Sequence, residues 1–305
     1  MKKHKIKVSI IIPTQNAGSE FDNVLKRIFE QNIKEKFEVI IIDSGSTDKT
    51  IEIAKKYTVR LIQIKPEEFG HGRTRNYGAD ISKGEYLVFL TQDAIPFDNN
   101  WLRYLISNLE DENVAGVYNK QIPKDDANIF EKFYLNKVYP DYKIIKNLKT
   151  IKSLTLNEIR FSSGGSAIKK DVWKKHKFDE SVLFEDQAWS KTVILDGYNV
   201  IYESNAKVYH SHNYNIINVF RRHFDHGVSL NEILNDKIIN VTKEGLNFII
   251  EEILFLIKNN LWYKIPHMFV YEFSRYLGYL LGRKHNIIPK FIKRSISHHK
   301  YYWKI

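Results

Sequence analysis

The sequence predicts an α/β protein in which a mostly parallel sheet is flanked by helices and followed by a helical C-terminal extension. Over residues 8–90, short β-branched runs alternate with stretches of helical spacing, which is the pattern of a parallel sheet wrapped by helices. The run at 86–90 is apolar on both faces and lies between Gly84 and Pro96, as expected of a buried strand. From residue 216 onward the apolar residues recur at helical spacing, which indicates the extension.

The elements follow in order from apolar spacing and turn residues. Strands are predicted at 8–13, 37–42, 59–64 and 86–90, joined by helices at 21–29, 48–57 and 74–82. Further along, the prediction gives a strand at 114–122, a short strand after the loop 161–166, strands at 200–202 and 207–209, and helices at 102–109, 125–142 (in part), 170–176, 184–197, 216–235, 243–259 and 262–283. Right-handed crossovers place the ends of parallel strands at one edge, so segments 14–16, 43–48 and 92–93 should meet there.

Composition excludes several classes of protein. The 305 residues are 43% hydrophobic and 27% charged, as in a folded chain with room for a large domain and a smaller one. The absence of cysteine excludes disulfides and thiolate zinc sites and fits a reducing compartment. We find neither a secretory signal nor an apolar run of about 18 residues, so we expect a cytoplasmic protein without a membrane-spanning helix.

The C-terminal region is strongly basic. The net charge of the chain is +11, and no acidic residue follows Glu272. Such a block attracts an anionic partner: nucleic acid, a phosphorylated substrate or an anionic membrane surface. Aromatic residues interleave with the basic ones, which is typical of segments that lie at a membrane interface. A solvated helical face or a contact in a homodimer would give the same pattern.

Five short motifs stand in order along residues 6–225. They are the run Val8–Pro13, the turn Asp43–Asp48, Arg75-Asn76 ahead of Gly78-Ala79, the acidic strand end at Asp93, and Glu185-Asp186. In order and spacing they resemble the family 2 glycosyltransferases, which have the Rossmann-like GT-A fold. Four segments resemble the bacterial rhamnosyltransferase branch of that family: Phe69–Gly78, Phe89–Ala94, Val208–His212 and His299–Trp303.

This resemblance implies a nucleotide-sugar glycosyltransferase domain over 1–225 and a helical, basic region over 226–305. It implies inverting transfer of a sugar, in the preferred version rhamnose from dTDP-rhamnose, to a cell-surface polysaccharide or a polyprenyl-linked glycan. Such an enzyme would act at the inner face of the cell membrane. A family member that uses a different donor, such as a UDP-sugar, fits the same motifs.

The resemblance assigns nucleoside binding to the loops after the first two strands. Pro13, Thr14, Asn16 and Asp43 would contact the nucleoside, with Ser46 in the second loop beside them. The Asp43 carboxylate would accept the ring N–H of a pyrimidine. The alternative interpretation is that Asp43 only orders its own turn.

Two further residues are expected near the donor phosphates. Arg75 matches the family's basic residue there, and a guanidinium suits a diphosphate because it stays charged and forks onto two oxygens. Gly165 would let the backbone approach the donor. Alternatively, Arg75 is an exposed charge on a helix.

The resemblance implies a divalent cation, Mn²⁺ or Mg²⁺, at Asp93 and His210, and carboxylate oxygen and imidazole nitrogen suit such an ion. The family's metal motif usually has two acidic residues, and Gln92 replaces the first of them here. One carboxylate then remains at the cation, and Gln92 would hydrogen-bond the ribose or the phosphate. The alternative is that Asp93 begins a turn and His210 makes ordinary hydrogen bonds.

Glu185-Asp186 resembles the Glu-Asp motif of the family, which implies that Asp186 is the catalytic base, with Glu185 beside it. The reaction needs a carboxylate that takes the proton of the acceptor hydroxyl. A helix N-terminus also favours carboxylates for electrostatic reasons alone, so capping is the alternative. Trp189 would stack on an acceptor sugar or belong to the core, and His212 is a second candidate acceptor contact.

Other classes of function are less well supported. A nucleotidyltransferase would need a glycine- and Arg/Lys-rich first loop, which the segment 14–20 lacks. A nucleic-acid-binding protein would not need Asp43, Asp93 and Asp186 in one cleft, where they would repel phosphates, so no nucleic acid is expected as a partner. A non-catalytic nucleotide-binding protein is the remaining alternative, prompted by Gln92.

Overall fold

The computed structural model describes residues 5–151, 155–234 and 241–303. The chain forms two compact units. The first, here called the sheet unit, comprises the chain up to Lys124, Tyr139–Ser181 and Glu185–Ser211. The second, the helical unit, comprises Asp125–Val138, Val182–Phe184 and the chain from His212 onward. The predicted domain boundary at residue 225 stays a prediction.

The sheet unit is built on one mixed sheet. Its strands are β1 (Val8–Thr14), β2 (Phe37–Asp43), β3 (Arg60–Gln63), β4 (Tyr86–Phe89), β5 (Ile95–Pro96), β6 (Val114–Ile122), β7 (Ile144–Lys146), β8 (Ser166–Lys169) and β9 (Asn199–Tyr209). They lie in the order β3-β2-β1-β4-β8-β6-β9-β5, and β7 pairs with β9. The first four strands are parallel, whereas β8 runs antiparallel to both β4 and β6. The predicted fold class is confirmed, and the sheet is mixed.

Helices cover the sheet and make up the helical unit. The sheet unit holds α1 (Phe21–Phe29), α2 (Thr50–Ala54), α3 (His71–Ile81), α4 (Trp101–Ser107), α6 (Leu156–Ile159), α7 (Lys170–Lys175) and α8 (Glu185–Leu195). The helical unit holds α5 (Ile129–Val138), α9 (Ile216–Leu234), α10 (Val241–Lys258), α11 (Ile265–Arg283) and α12 (Lys290–Ile296). Residue 235, the end of one predicted helix, lies outside the described residues.

The core of the sheet unit lies under the first strands. The side chains Ile10, Ile12, Val39 and Ile41 are buried against α1, because these β-branched runs are apolar on both faces. Helix α3 approaches β1 closely at Gly78, where an added Cβ would lie 2.5 Å from Ile11 Cγ2. This contact explains why a glycine follows Arg75-Asn76.

Strand β9 corrects one prediction. Two strands, 200–202 and 207–209, were expected, and the structure has one strand from Asn199 to Tyr209. Its register against β6 jumps between Glu203 and Lys207, so residues 204–206 form a bulge. The bulge interrupts the apolar pattern without ending the strand, which carries His210 to the sheet edge.

The helical unit is organised around close packing of α9 and α11. Two glycines one turn apart on α11 allow it: an added Cβ on Gly278 would lie 2.3 Å from the Phe220 carbonyl oxygen, and one on Gly282 would lie 2.0 Å from that of Phe224. Phe130, Val219 and Met268 are buried in its core. None of the helices among the described residues combines the length and apolar character that crossing a membrane requires.

Candidate active site

The turn after β2 is ordered by Asp43. Strands β1 and β2 pair in register so that Thr14 lies opposite Asp43. The fully buried Asp43 carboxylate accepts hydrogen bonds from the N–H of Gly45 (3.1 Å) and of Ser46 (2.9 Å) with one oxygen. Its other oxygen accepts the hydroxyls of Thr14 (3.0 Å) and Ser46. Asp43 therefore orders its own turn, while Pro13 at the end of β1 stays partly exposed.

Three loops at the sheet edge are tied together by side-chain hydrogen bonds. Asn16 is exposed, has a left-handed backbone (φ 49°) and accepts the Thr47 N–H at 2.8 Å. Its own N–H donates to Ser46 Oγ at 2.8 Å. Gln92 accepts the Gln15 N–H (2.7 Å) and donates to the Gln15 carbonyl (3.1 Å). The three strand-end loops thus meet at one edge, and the amide of Gln92 holds the first of them.

Asp93 and His210 form the best candidate metal site. The His210 Nε2 atom lies 3.4 Å from Asp93 Oδ1. On the other side of the ring, Nδ1 lies 3.1 Å from Gln121 Oε1, and Gln121 Nε2 donates to Ser162 Oγ at 2.9 Å. Because the amide oxygen can only accept, Nδ1–H donates this hydrogen bond, and Nε2 is the ring nitrogen that faces Asp93.

This arrangement fits a divalent cation. An imidazole lone pair and a carboxylate oxygen that face each other need a proton or a cation between them. Adjacent ligands of an octahedral ion with bonds of 2.0–2.1 Å are about 3 Å apart, close to the observed separation. Asp93 is partly exposed, so phosphate oxygens or water could complete the ligand set. The residues present therefore suit Mg²⁺ or Mn²⁺.

The glycine pair at the start of β8 brings a loop close to β6. A Cβ on Gly165 would lie 2.1 Å from Asn119 Oδ1, and one on Gly164 would lie 2.9 Å from Gln121 Nε2. Ser162 Oγ also accepts the Gly164 N–H at 3.2 Å. Gly165 therefore packs directly against the Asn119 side chain, at a distance that leaves no room for a Cβ atom.

The two carboxylates at the start of α8 have different environments. Asp186 is partly exposed and accepts the N–H of Ser163 (3.0 Å) and of Gln187 (2.8 Å). Glu185 is buried and forms an ion pair with the guanidinium of Arg75 on α3. Burial raises the pKa of both carboxyls, and at Glu185 the charge of Arg75 opposes this effect. Asp186 is the more accessible of the two.

Two further predicted site residues, Arg75 and Trp189, are buried. Arg75 is buried and paired with Glu185, so it is not an exposed helix charge. Trp189 is 2% exposed and donates its indole N–H to the His176 carbonyl at 2.8 Å, as a core tryptophan does. His212 belongs to the helical unit.

Sequence reasoning missed the residues that orient the site. Gln121 and Ser162 fix the His210 ring, and the Ser163 N–H holds Asp186. A polar residue such as Gln121 in a buried strand was a usable signal. Asn76 was another: its amide oxygen accepts the N–H groups of the Trp173 indole (3.0 Å) and of Phe178 (3.1 Å), and this fixes the segment that leads into α8.

Comparison with known proteins identifies the family. The model of "Glycosyl transferase family 2" matches residues 9–176, which is more than half of the chain. The chain belongs to glycosyl transferase family 2. This family 2 glycosyltransferase is 36% identical over 300 residues to the O-antigen chain rhamnosyltransferase WbaN of Salmonella anatum, covering 97% of this chain and 95% of that protein. It is 34% identical over 304 residues to the O-antigen chain rhamnosyltransferase RfbN of Salmonella typhimurium, covering 98% and 96%.

Solved structures support the fold of this glycosyltransferase. The mannosyltransferase PcManGT of Pyrobaculum calidifontis, solved with GDP-Man and Mn²⁺, aligns with a TM-score of 0.59 at 18% identity, covering 99% of this chain and 86% of that one. Staphylococcus aureus TarS 1–349, solved with UDP-GlcNAc, aligns with a TM-score of 0.58 at 18% identity, covering 97% and 85%. The expectation of a GT-A glycosyltransferase that resembles rhamnosyltransferases is confirmed.

Proposed function

We propose that this enzyme transfers rhamnose from dTDP-rhamnose, with inversion, to a hydroxyl group of a cell-surface polysaccharide or a polyprenyl-linked glycan. The proposal is supported by the two O-antigen chain rhamnosyltransferases that match nearly the whole chain. The loops that hold Thr14, Asn16 and Ser46 meet the segment of Gln92 and Asp93 at one sheet edge, which supports assigning nucleoside and phosphate binding to neighbouring parts of this edge.

The main structural support for glycosyl transfer from a nucleotide sugar is the Asp93–His210 pair, in which Gln121 contacts the far side of the His210 ring. Metal-ligating histidines characteristically donate their second N–H to an oxygen acceptor, as His210 does to Gln121. When bound there, a divalent cation would neutralise negative charge on the departing diphosphate. Asp93 and His210 are the residues that would hold it.

We assign the general base to Asp186. In a single displacement the acceptor oxygen bonds to C1 of rhamnose as the bond from C1 to the diphosphate oxygen breaks, and the acceptor proton passes to a carboxylate. Asp186 is partly exposed, whereas Glu185 is buried against Arg75. Glu185 therefore positions α8 through its ion pair, and Asp186 receives the proton.

The same loop supports both halves of the proposed site. Ser162 fixes Gln121 and through it His210, while the next residue, Ser163, donates its N–H to Asp186. The cation ligands and the base are thus linked through two consecutive residues. This linkage gives a physical reason for placing the donor phosphates and the acceptor on either side of the 162–165 loop.

The proposed setting follows from the acceptor. A polyprenyl-linked glycan is held in a membrane, so we place the enzyme at the inner face of the cell membrane. A homodimer is compatible with this placement.

Donor assays test the proposed function. Purified enzyme with Mn²⁺ is incubated with dTDP-rhamnose or UDP-GlcNAc, and the release of nucleoside diphosphate is measured with and without a lipid-linked glycan acceptor. We expect acceptor-dependent release of dTDP that the Asp186→Asn variant loses. Release of UDP alone would favour a UDP-sugar transferase, and release of neither nucleotide would contradict the proposal.

A further inference from the structure

We propose that the helical unit carries a docking surface for an anionic phospholipid bilayer. Of the large apolar side chains that are exposed among the described residues, fourteen lie between Leu246 and Ile292, and eight lie in all other described residues together. Scattered apolar side chains are normal on a protein surface, but such a concentration marks an interaction site. We call this set, from Leu246 to Ile292, the lipid-facing surface.

Each long helix in this region is apolar on two faces. On α10 the exposed residues recur at intervals of four, four and three positions: Leu246, Ile250, Leu254 and Ile257. The opposite face of α10 buries Leu256 in the core of the helical unit. Packing within the unit therefore accounts for the face of α10 that holds Leu256. It does not account for the apolar residues on the exposed face.

Helix α11 repeats this arrangement. Its buried face contributes Met268 and Tyr271 to the core. The exposed residues Phe269, Val270, Phe273, Tyr276 and Leu277 recur at helical spacing on its outer side. Trp262 and Tyr263, just before α11, are also exposed, and such aromatic residues favour the boundary between lipid head groups and acyl chains.

The charge of this region suits an anionic surface. From Leu246 to Trp303 the sequence holds nine lysines and arginines and three acidic residues, Glu251, Glu252 and Glu272. Glu252 and Glu272 are buried, and Glu251 forms an ion pair with Lys137, so the acidic residues offset little of the outer charge. The exposed basic residues flank the apolar ones: Lys258 follows Ile257, and Lys290 and Arg294 lie on either side of Phe291. Basic residues beside an apolar face are what anionic lipids attract.

A second copy of the chain is a poorer occupant. A two-fold interface brings the same surface patch of both copies together, so its charges must complement themselves. Between Ile253 and Trp303 the exposed charged residues are all basic, and pairing two such surfaces would place like charges near each other. An anionic bilayer is complementary to the same set of charges.

Vesicle binding tests the inference without donor or acceptor, so its failure is separable from failure of the proposed glycosyl transfer. The 305-residue protein is sedimented with vesicles of phosphatidylcholine, with and without phosphatidylglycerol. The apolar variant is Trp262→Ser, Phe273→Ser, Phe291→Ser, whose side chains are 65–68% exposed. Three exposed apolar residues of the sheet unit provide the matched control: Tyr142→Ser, Leu148→Ser, Leu195→Ser.

We expect binding that requires phosphatidylglycerol, weakens with salt, and falls by about tenfold or more in the apolar variant. The control variant should bind as the wild type does, and nucleotide binding should be retained in both. Lys284→Gln, Lys290→Gln, Arg294→Gln should remove the preference for phosphatidylglycerol. Equal binding by the apolar and control variants, or no vesicle binding by the wild type, would overturn the inference. So would a wild-type dimer that the apolar variant converts to a monomer, because a second copy would then cover the surface.

Discussion

His210 holds its Nε2 atom 3.4 Å from Asp93 Oδ1, although the two residues are 117 positions apart in the chain. Strand β9 ends just before His210, and Asp93 follows β4, so the mixed sheet brings both to one edge. The Gln121 amide oxygen accepts a hydrogen bond from Nδ1–H, so Nε2 is the ring nitrogen that faces the carboxylate. A proton or a divalent cation between Nε2 and the carboxylate oxygen would use both atoms.

The orientation of the His210 ring depends on Gln121. Gln121→Leu removes the acceptor for Nδ1–H, so we expect Mn²⁺ to bind roughly 10- to 100-fold more weakly. Free Mn²⁺, followed by electron paramagnetic resonance during a titration, measures the change. Gln121→Glu keeps an oxygen acceptor and should retain most of the affinity. Unchanged Mn²⁺ affinity in Gln121→Leu would show that the ring needs no such support.

Asp186 should act on the chemical step. Asp186→Asn removes the proton acceptor but keeps a side-chain oxygen for the Ser163 N–H, so we expect kcat to fall by about 10²- to 10⁴-fold with little change in donor affinity. Steady-state rates and calorimetric donor binding separate the two effects. A variant that loses donor binding and rate together would contradict the assignment of Asp186 as the base.

Glu185 should act on stability instead. Removing its charge by Glu185→Gln leaves the buried Arg75 guanidinium without its counter-ion, which costs about 3–5 kcal/mol of folding free energy. Thermal unfolding of the purified variant measures this loss. The double variant Arg75→Met, Glu185→Leu removes both charges and should recover most of the stability. Full stability of Glu185→Gln alone would show that the ion pair is dispensable.

Gly165 lies where a side chain would not fit. In Gly165→Ala the new Cβ would meet Asn119 Oδ1 at 2.1 Å, so the loop or β6 must shift, and we expect a loss of about 1–3 kcal/mol. Gly245→Ala on α10 is the control, because nothing lies within 4 Å of its Cβ and alanine favours a helix. Denaturant unfolding of both variants tests this. Equal stability of the two would contradict the close contact.

Stability of the helical unit should depend on the protonation of Glu252. Glu252 is 1% exposed, and burial, with the charge of Glu272, raises the pKa of Glu252 from 4.5 to about 8. The native state therefore keeps a proton that the unfolded chain releases between these values. The free energy of unfolding is therefore highest below about pH 4.5. It falls as the pH rises through about 8, by at most about 1.4 kcal/mol per pH unit.

Glu252→Gln removes this dependence on pH. The wild type loses stability as pH rises from about 5 to about 8, and the variant does not. The thermal midpoint of the variant, minus that of the wild type, should therefore increase over this range. Glu251→Gln, at the neighbouring and more exposed position, is the matched control and should give a smaller change. A midpoint difference between Glu252→Gln and wild type that stays constant over this range would contradict the raised pKa.

The sequence was informative where local pattern decides structure. The β-branched runs of β1, β2 and β4 specify buried parallel strands, and their crossovers bring the strand ends together. Strands β5 and β7 have two and three residues, too few for a pattern, and the bulge at 204–206 hid the continuity of β9. Local spacing was therefore enough for the parallel half of the sheet and insufficient for the other half.

The candidate site was predictable as a set of residues but not as a set of contacts. Motif order pointed to Asp93, His210 and Asp186. That Gln92 holds the Gln15 backbone and that Arg75 pairs with Glu185 depends on contacts between residues 77 and 110 positions apart. Such long-range pairings are fixed by tertiary packing and leave no local pattern.

The most direct test of the metal-assisted nucleotide site is calorimetric titration with dTDP, with and without Mn²⁺, on wild type, Asp93→Ala and His210→Ala. Asp196→Ala is the control, because Asp196 forms a second His–Asp pair, 2.9 Å from His176. We predict that Mn²⁺ strengthens dTDP binding, that both site variants lose this effect, and that the control keeps it. Binding of dTDP that is equally strong without Mn²⁺, or unchanged in Asp93→Ala, would contradict the proposed site.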